Sequence, residues 1–403
     1  MIEKIIRLQP RIMEYDWGDT DFIPDLLGKI PDGKPKAELW MGAHEAAPAL
    51  VIDQGGDLKS YISDHYQCLG EKSISRFGKE LPLLFKVLAI AKPLSIQCHP
   101  STELAREGWA KETAYRKTVP RSQWNYKDPN RKAEIIYALT PITAMCGFRP
   151  VQESLPLLQN LIPQGYETFF LPLMAHYEGD ALLAKVFEQL YTMEKVQLRN
   201  LIGEMISRLS SNPSLLPAAS KDAVFLESRD IIISCHKEYP EDPGLFCPVL
   251  LNIVHLCPGE ALYLAPRTLH AYVYGNGMEL MSASDNVLRG GLTHKKMDVP
   301  ELLKVLSVKS EIPSKAGEHY DSFGRTVVES PAEEFSLVVM PAGKYEVFCP
   351  AFEILFVEQG SGSLRANESV HELHQGDCLL IASGTQYAIE LTGRVFCATI
   401  KSY

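Results

Sequence analysis

Three separate stretches carry side chains that could hold a metal or move a proton. In Pro93-Leu94-Ser95-Ile96-Gln97-Cys98-His99-Pro100, a β-strand over Leu94 to His99 places Gln97 and His99 on one face and Ile96 and Cys98 on the other. An amide oxygen and an imidazole nitrogen on one wall suit a divalent transition metal with N and O ligands. Taken alone, the pair also fits the solvated face of a half-buried strand, so the metal reading depends on ligands from elsewhere. In Asn125 to Leu139, an Asp128-Pro129-Asn130 turn feeds a strand on which Lys132 and Glu134 share a face. A lone Lys-x-Glu is commonly an exposed strand edge, but Ile135-Ile136-Tyr137-Ala138-Leu139 follows directly and puts this pair at the mouth of a buried strand. From His270 to Lys295, Glu279, Asp285 and Arg289 alternate with Leu280, Met281, Val287 and Leu288 among glycines and serines. That mixture makes a poor core and a well-lined cavity.

The elements that must position these groups follow from texture. Up to about residue 147, short apolar runs punctuated by Gly and Pro read as strands, including Arg11 to Gly18, Ala37 to Gly42 and Leu83 to Ile90. Helical spacing covers 57–76 and 103–116, the second with Ser101 or Thr102 as its cap. Beyond Pro150 the periodicity changes. Leu182, Leu183, Val186, Phe187 and Leu190, then Leu198, Leu201, Ile202, Met205, Ile206 and Leu209, form the apolar stripes of packed helices. Strand texture returns at 245–264 around a Pro258-Gly259-Glu260 turn, a phrase that resembles a cupin or jelly-roll hairpin. The phrase recurs from Phe352, through Gly376-Asp377, to Ser383-Gly384-Thr385-Gln386-Tyr387, where no histidine stands. This second copy is therefore expected to be metal-free and structural.

The expected fold is mainly β with an α insertion: a cupin (jelly-roll) catalytic barrel from 1–150 and 240–320, a helical domain over 151–239, and a degenerate cupin-like barrel over 321–403. Such an excursion returns His270 towards Gln97 and His99. The chain has 403 residues, ample for more than one core. A formal charge of −10 argues against nonspecific binding to nucleic acid or anionic membrane. Residues 1–17 are interrupted by Glu3, Lys4, Arg7, Arg11 and Glu14, so they lack a signal-peptide core, and no apolar run is long enough to span a bilayer. Nine scattered cysteines without a Cys-x-x-Cys pair read as reduced thiols of a cytoplasmic protein.

The stretch from His270 to Lys295 resembles the signature of type I phosphomannose isomerases, and Tyr126 to Glu134 resembles that family's other signature. Tyr15-Asp16-Trp17-Gly18, Ala37 to His44 and Leu83 to Pro100 add echoes in the family's order. The resemblance implies one Zn²⁺ per chain held by Gln97, His99, Glu134 and His270. It implies a site lined by Trp17, Glu38, Lys86, Lys132, Glu279, Asp285 and Arg289, of which Arg289, Lys132, Glu279 and Asp285 are expected to act in catalysis and Trp17, Glu38 and Lys86 to bind substrate. Ser95, on the same face as Gln97, adds with Lys86 a place for the substrate phosphate. The implied reaction interconverts mannose 6-phosphate and fructose 6-phosphate through an enediol, with a small sugar phosphate as partner and a monomer or weak homodimer as the expected state. Ligand chemistry agrees, because one amide, one carboxylate and two imidazoles leave Zn²⁺ an open position.

Two positions depart from the signature: Arg131 stands where the family has His, and Ala133 where it has Pro. The proton-transferring base therefore stays open. Gly290 and His294 replace the usual Ala and Pro and are expected to alter only local backbone. The rival reading is a metal-cupin that binds a sugar phosphate without turnover, as a regulator; Glu279, Asp285 and Arg289 beside the metal set favour the enzyme. An iron-dependent cupin oxygenase fits less well, since Gln is an unusual facial-triad ligand.

Overall fold

The computed structural model describes residues 3–210 and 223–401. Its organisation follows from strands that are buried on both faces. In Leu83–Ile90 every residue is buried, with Leu83, Phe85, Val87 and Ala89 in one core and Leu84, Leu88 and Ile90 turned to the other side. Lys86 shares that other side by alternation. The same split recurs in three more strands: Leu39 and Met41 oppose Glu38 and Trp40, Ile135 and Tyr137 oppose Glu134, and Met278 and Leu280 oppose Glu279. Antiparallel register sets Glu279 opposite Lys86, Glu134 opposite Met281, and Lys86 opposite Trp40. Four charged side chains thus share one face of a sheet whose reverse is apolar.

The apolar reverse packs on an eight-stranded sheet built mainly from the C-terminal region. Within it, Glu353–Gln359 sends Ile354 and Phe356 towards the first sheet and Leu355 and Val357 towards a four-stranded sheet beyond. The chain's first strand, Ile5–Gln9, pairs antiparallel with Cys378–Ile381 and so joins this middle layer. Among the described residues no sheet closes on itself, which corrects the expectation of barrels. Arg11–Met13 and Ala261–Leu264 end one sheet, and Glu318–Tyr320 and Leu50–Val51 end the eight-stranded one. The first strand extends the C-terminal sheet and leaves Arg11–Met13 as an open edge, so the architecture is a layered stack.

The 13-residue strand His270–Ser282 belongs to two sheets. Its first half pairs with Ile142–Phe148 and Ile96–Cys98, its second with Leu83–Ile90 and Glu134–Ala138. Between them the register shifts at Tyr272/Tyr274, and Gly275 adopts φ 111°. A Cβ at Gly275 would lie 2.3 Å from the Pro141 carbonyl oxygen, so only glycine fits this bend.

The strand expected over Leu94 to His99 is confined to Ile96–Cys98. The span 57–76 splits into Leu58–Asp64 and Glu71–Phe77, separated by a 3-10 turn over Tyr66–Leu69 and by Gly70 at φ 80°. Ser101 caps Thr102–Lys111 through the Leu104 N–H. The helical stripes are buried as expected in Gly179–Thr192 and Lys195–Leu209, with Ile206 only partly covered. Their core merges with Phe148, Phe246, Leu251 and Leu288 of the β region, and the Tyr191 hydroxyl donates to the Gly290 carbonyl. All nine cysteines are free and only Cys257 is exposed. Among the described residues no helix is long and apolar enough to cross a membrane.

Replacing Gly275 by Ala forces a side chain into the left-handed region against backbone. The variant is expected to lose at least about 2 kcal/mol of stability in a denaturant titration. An unchanged unfolding midpoint would mean that the bend does not depend on glycine.

Candidate metal centre

His99, Glu134 and His270 reach one point from three separate segments. Their ligand atoms all lie within 4.8 Å of one another and all three side chains are buried. His99 Nδ1 lies 2.8 Å from the Asn286 carbonyl oxygen, and His270 Nδ1 lies 2.9 Å from that of Thr268. A carbonyl only accepts, so both Nδ1 atoms carry the proton, which in the neutral ring leaves Nε2 as the nitrogen with the lone pair. Those lone pairs face the two oxygens of Glu134 at 3.3 and 3.1 Å, and His99 Nε2 has no hydrogen-bond partner. Acceptors crowded in this way repel unless a cation lies among them. Burial, reinforced by Lys132, pushes the His99 pKa down to about 4, so the ring is a neutral ligand near pH 7. Burial works to raise the Glu134 pKa, but Lys132 and then His99 hold it well below the usual carboxylate range. Two neutral imidazoles and an ionised carboxylate fit a single Zn²⁺. Gln97 stands directly opposite His270 on the neighbouring strand.

Around this centre the charges interlock. Lys132 Nζ lies 2.9 Å from Glu134 Oε1. Lys86 Nζ is shared between Glu279 Oε2 at 2.6 Å and Glu38 Oε2 at 3.4 Å. The Trp40 indole N–H donates to Glu38, and the Tyr272 hydroxyl donates to Glu279 at 3.0 Å. Burial works to lower the Lys86 pKa, but Glu279 and then Glu38 keep it raised and the ammonium charged. Burial raises the Glu279 pKa, with Lys86 opposing it. At the mouth, Asp285 is bound by His44 Nε2 and Arg121 Nη2, each at 2.9 Å. Burial opposes ionisation of Asp285, yet His44 and Arg121 hold its pKa below the usual carboxylate range.

These groups line a cavity of about 490 Å³ that includes Lys86, Lys132, Glu134, His270, Glu279 and Arg289. A second arm of about 510 Å³ carries Trp17 and reaches Cys235 and Tyr239 at the edge of the helical insertion. Glu38, Ser95, Gln97 and Arg289 line both arms, so the residues singled out in the sequence converge on one cleft, with His99 just behind its wall. Arg131 does not join them. It turns away and makes two parallel 2.8 Å hydrogen bonds to Glu334 of the C-terminal region. The cleft also contains Trp40, His44, Arg121, Lys127 and Tyr272. Alternation marks Trp40 beside Glu38 and Tyr272 beside His270, whereas nothing local marks Arg121.

The catalytic-domain model of type I phosphomannose isomerase matches residues 5–151, and the helical-insertion model of the same family matches 167–251. An AraC-like ligand-binding domain matches 348–398. The mannose-6-phosphate isomerase of Escherichia coli is 36% identical over 391 residues, spanning 92% of this chain and 93% of that protein. A mutant of the phosphomannose isomerase from Salmonella typhimurium superposes with a TM-score of 0.85 at 31% identity, over 99% of this chain and 100% of that one. A mannose 6-phosphate isomerase solved with zinc and yttrium gives the same TM-score, identity and coverage. Matched along nearly its whole length in sequence and in fold, helical insertion included, the chain belongs to the type I phosphomannose isomerase family.

Proposed function

We propose that the chain is a zinc-dependent isomerase that interconverts mannose 6-phosphate and fructose 6-phosphate through a cis-enediolate. The observation that carries this reading is the pair of bare imidazole nitrogens converging on Glu134 in the wall of a cavity ringed by Lys86, Lys132, Glu279 and Arg289. Zinc held by Gln97, His99, Glu134 and His270 supplies Lewis acidity towards the sugar oxygens.

The reaction takes a proton from C2 and returns it at C1, so it needs a base near neutral pKa and fixed positive charge for the developing enediolate. Glu279 suits the proton transfer, because burial raises its pKa while Tyr272 and Lys86 fix its orientation. Lys132 supplies positive charge beside the metal site. Asp285, so strongly held as an anion, is a weak base; its part is to orient His44 and Arg121 at the mouth. Glu38 and Ser95, where the two arms meet, contact sugar hydroxyls, with Trp17 beside them in the second arm. Arg131 takes no part in proton transfer, since its guanidinium is committed to Glu334.

In this reading residues 1–150 and 240–320 carry the chemistry, 151–239 wall the far arm, and 321–403 back the catalytic sheet. Free, mostly buried thiols suit a cytoplasmic enzyme, working as a monomer or weak homodimer.

The purified protein is expected to convert mannose 6-phosphate to fructose 6-phosphate, to stop when a chelator strips the metal, and to recover with added zinc. Stoichiometric metal with no turnover would instead support a sugar-phosphate-binding regulator. Metal analysis of His270→Ala is expected to find no zinc; retention would remove His270 from the ligand set. Arg289→Ala is expected to keep its zinc while kcat/KM falls by about 100-fold or more.

A further inference from the structure

The two imidazole ligands owe their tautomers to carbonyls of different origin. His270 Nδ1 reaches the Thr268 carbonyl, two residues back in the same segment. His99 Nδ1 instead lies 2.8 Å from the carbonyl of Asn286, which is distant in sequence and sits in the loop before Leu288–Gly291. That contact decides between two arrangements. With the proton on Nε2, His99 would donate to Glu134 Oε1, 3.3 Å away, and a charge-assisted bond of this kind is strong. With the proton on Nδ1, bound to Asn286, the Nε2 lone pair stays open for a metal. The Asn286 carbonyl therefore holds the ring in the form that a nearby carboxylate works against.

The side chain of Asn286 fixes that carbonyl. Asn286 is fully buried and lines neither arm of the cleft. Its Oδ1 accepts from the N–H groups of Lys127 and Asp128 at 2.6 and 3.3 Å, and its Nδ2 donates to the carbonyls of Asp128 and Asn130 at 2.8 and 2.9 Å. The amide thus pairs in both directions with the backbone of one turn. The Asp128 carboxylate returns the grip: Oδ1 accepts from the Ser284 hydroxyl and Oδ2 from the Asp285 N–H, each at 2.9 Å, while Ser284 Oγ accepts the Asn286 N–H at 3.2 Å. The turn so clamped leads into Lys132 and into Glu134–Ala138, the strand that carries the carboxylate ligand. A buried network with its donors and acceptors matched is rigid, and removing one partner leaves buried groups unpaired.

Resting on the zinc site proposed above, we propose that Asn286 is a positioning residue of the metal centre. Its amide locks the 127–130 turn to the 284–286 loop, and its carbonyl keeps His99 in the metal-ready tautomer. It acts through His99 and the approach to Glu134, touching neither substrate nor metal. Without the amide, the carbonyl is free to shift, and His99 turns its proton towards Glu134. His270, whose acceptor lies in its own segment, is untouched and serves as an internal control.

The test compares wild type with Asn286→Ala. Two-bond ¹H–¹⁵N spectra of histidine-labelled, metal-free protein near neutral pH separate the Nδ1–H from the Nε2–H tautomer, with His99→Ala and His270→Ala assigning the two rings. Zinc affinity comes from competition with a chromogenic chelator, and stability from a denaturant titration. In wild type both rings are expected as Nδ1–H. In Asn286→Ala, His99 is expected to move to Nε2–H while His270 does not, and zinc affinity to fall about 10- to 100-fold, with kcat largely recovered at saturating zinc. If this variant does not fold, Asp128→Asn takes its place: either orientation of the new amide sets a donor against the N–H of Asp285 or of Asn130, so the same shifts are expected at smaller amplitude. His99 unchanged, or zinc affinity unchanged, in a folded variant overturns the proposal. Equal loss at both rings in step with lost stability overturns it too, since it marks a purely structural role. A wild type that binds no zinc overturns the zinc site instead; a tautomer change confined to His99 in the metal-free variant would then still support Asn286 as the residue that sets that ring. Neither readout needs turnover, so an inactive wild type bears on the isomerase reading alone.

Discussion

The strands that present Glu38, Lys86, Glu134 and Glu279 to the cleft have their reverse faces packed against the C-terminal sheet, and that double commitment is the constraint on which the site rests. Glu38, Lys86, Glu134 and Glu279 are all buried, which is tolerable only if each charge meets an opposite one at short range. Leu39, Phe85, Val87, Ile135, Met278 and Leu280 hold the register from behind. A slip of one residue in any strand would exchange its two faces, burying a carboxylate in the apolar core and removing it from the metal. The apolar layer thus fixes geometry as well as stability, and it explains why the chain retains a C-terminal sheet that contributes no ligand to the cluster.

The long strand His270–Ser282 solves a second problem. A straight strand carrying His270 and Glu279 would place them too far apart to face one cavity, since each residue advances about 3.3 Å. The register shift at Tyr272/Tyr274 and the positive φ of Gly275 turn the strand between two sheets, so both ends address the same space. The helical insertion supports the other wall. Its core continues into Leu288 and Leu292, and Tyr191 holds the strand bearing Arg289.

Besides the apolar packing of the two sheets, an ion pair ties the C-terminal region to the edge of the site. Arg131 makes a bidentate contact with Glu334 immediately before Lys132 and Glu134 in the chain. Where the family signature has a histidine, this chain therefore has a strut between the catalytic strand and its backing sheet. Inside the C-terminal stack, buried Glu353 is satisfied by Arg325 and Tyr387, so the polar groups there are committed to one another.

Much of the site was legible in the sequence because alternation is local. Gln97, His99, Lys132 and Glu134 could be assigned faces from their neighbours, and the Leu and Met stripes marked the helical layer. Family motifs then tied segments that lie far apart in the chain. What spacing could not decide depends on contacts between distant residues. The pairing of Ile5–Gln9 with Cys378–Ile381 opened the expected barrels into layers. The carbonyls of Asn286 and Thr268 chose the tautomers that leave two lone pairs facing Glu134. Glu334 drew Arg131 out of the cleft, while Glu279 and Glu38 came to share Lys86. Side-chain type and periodicity are properties of a segment, whereas which charge neutralises which is settled only when the segments meet.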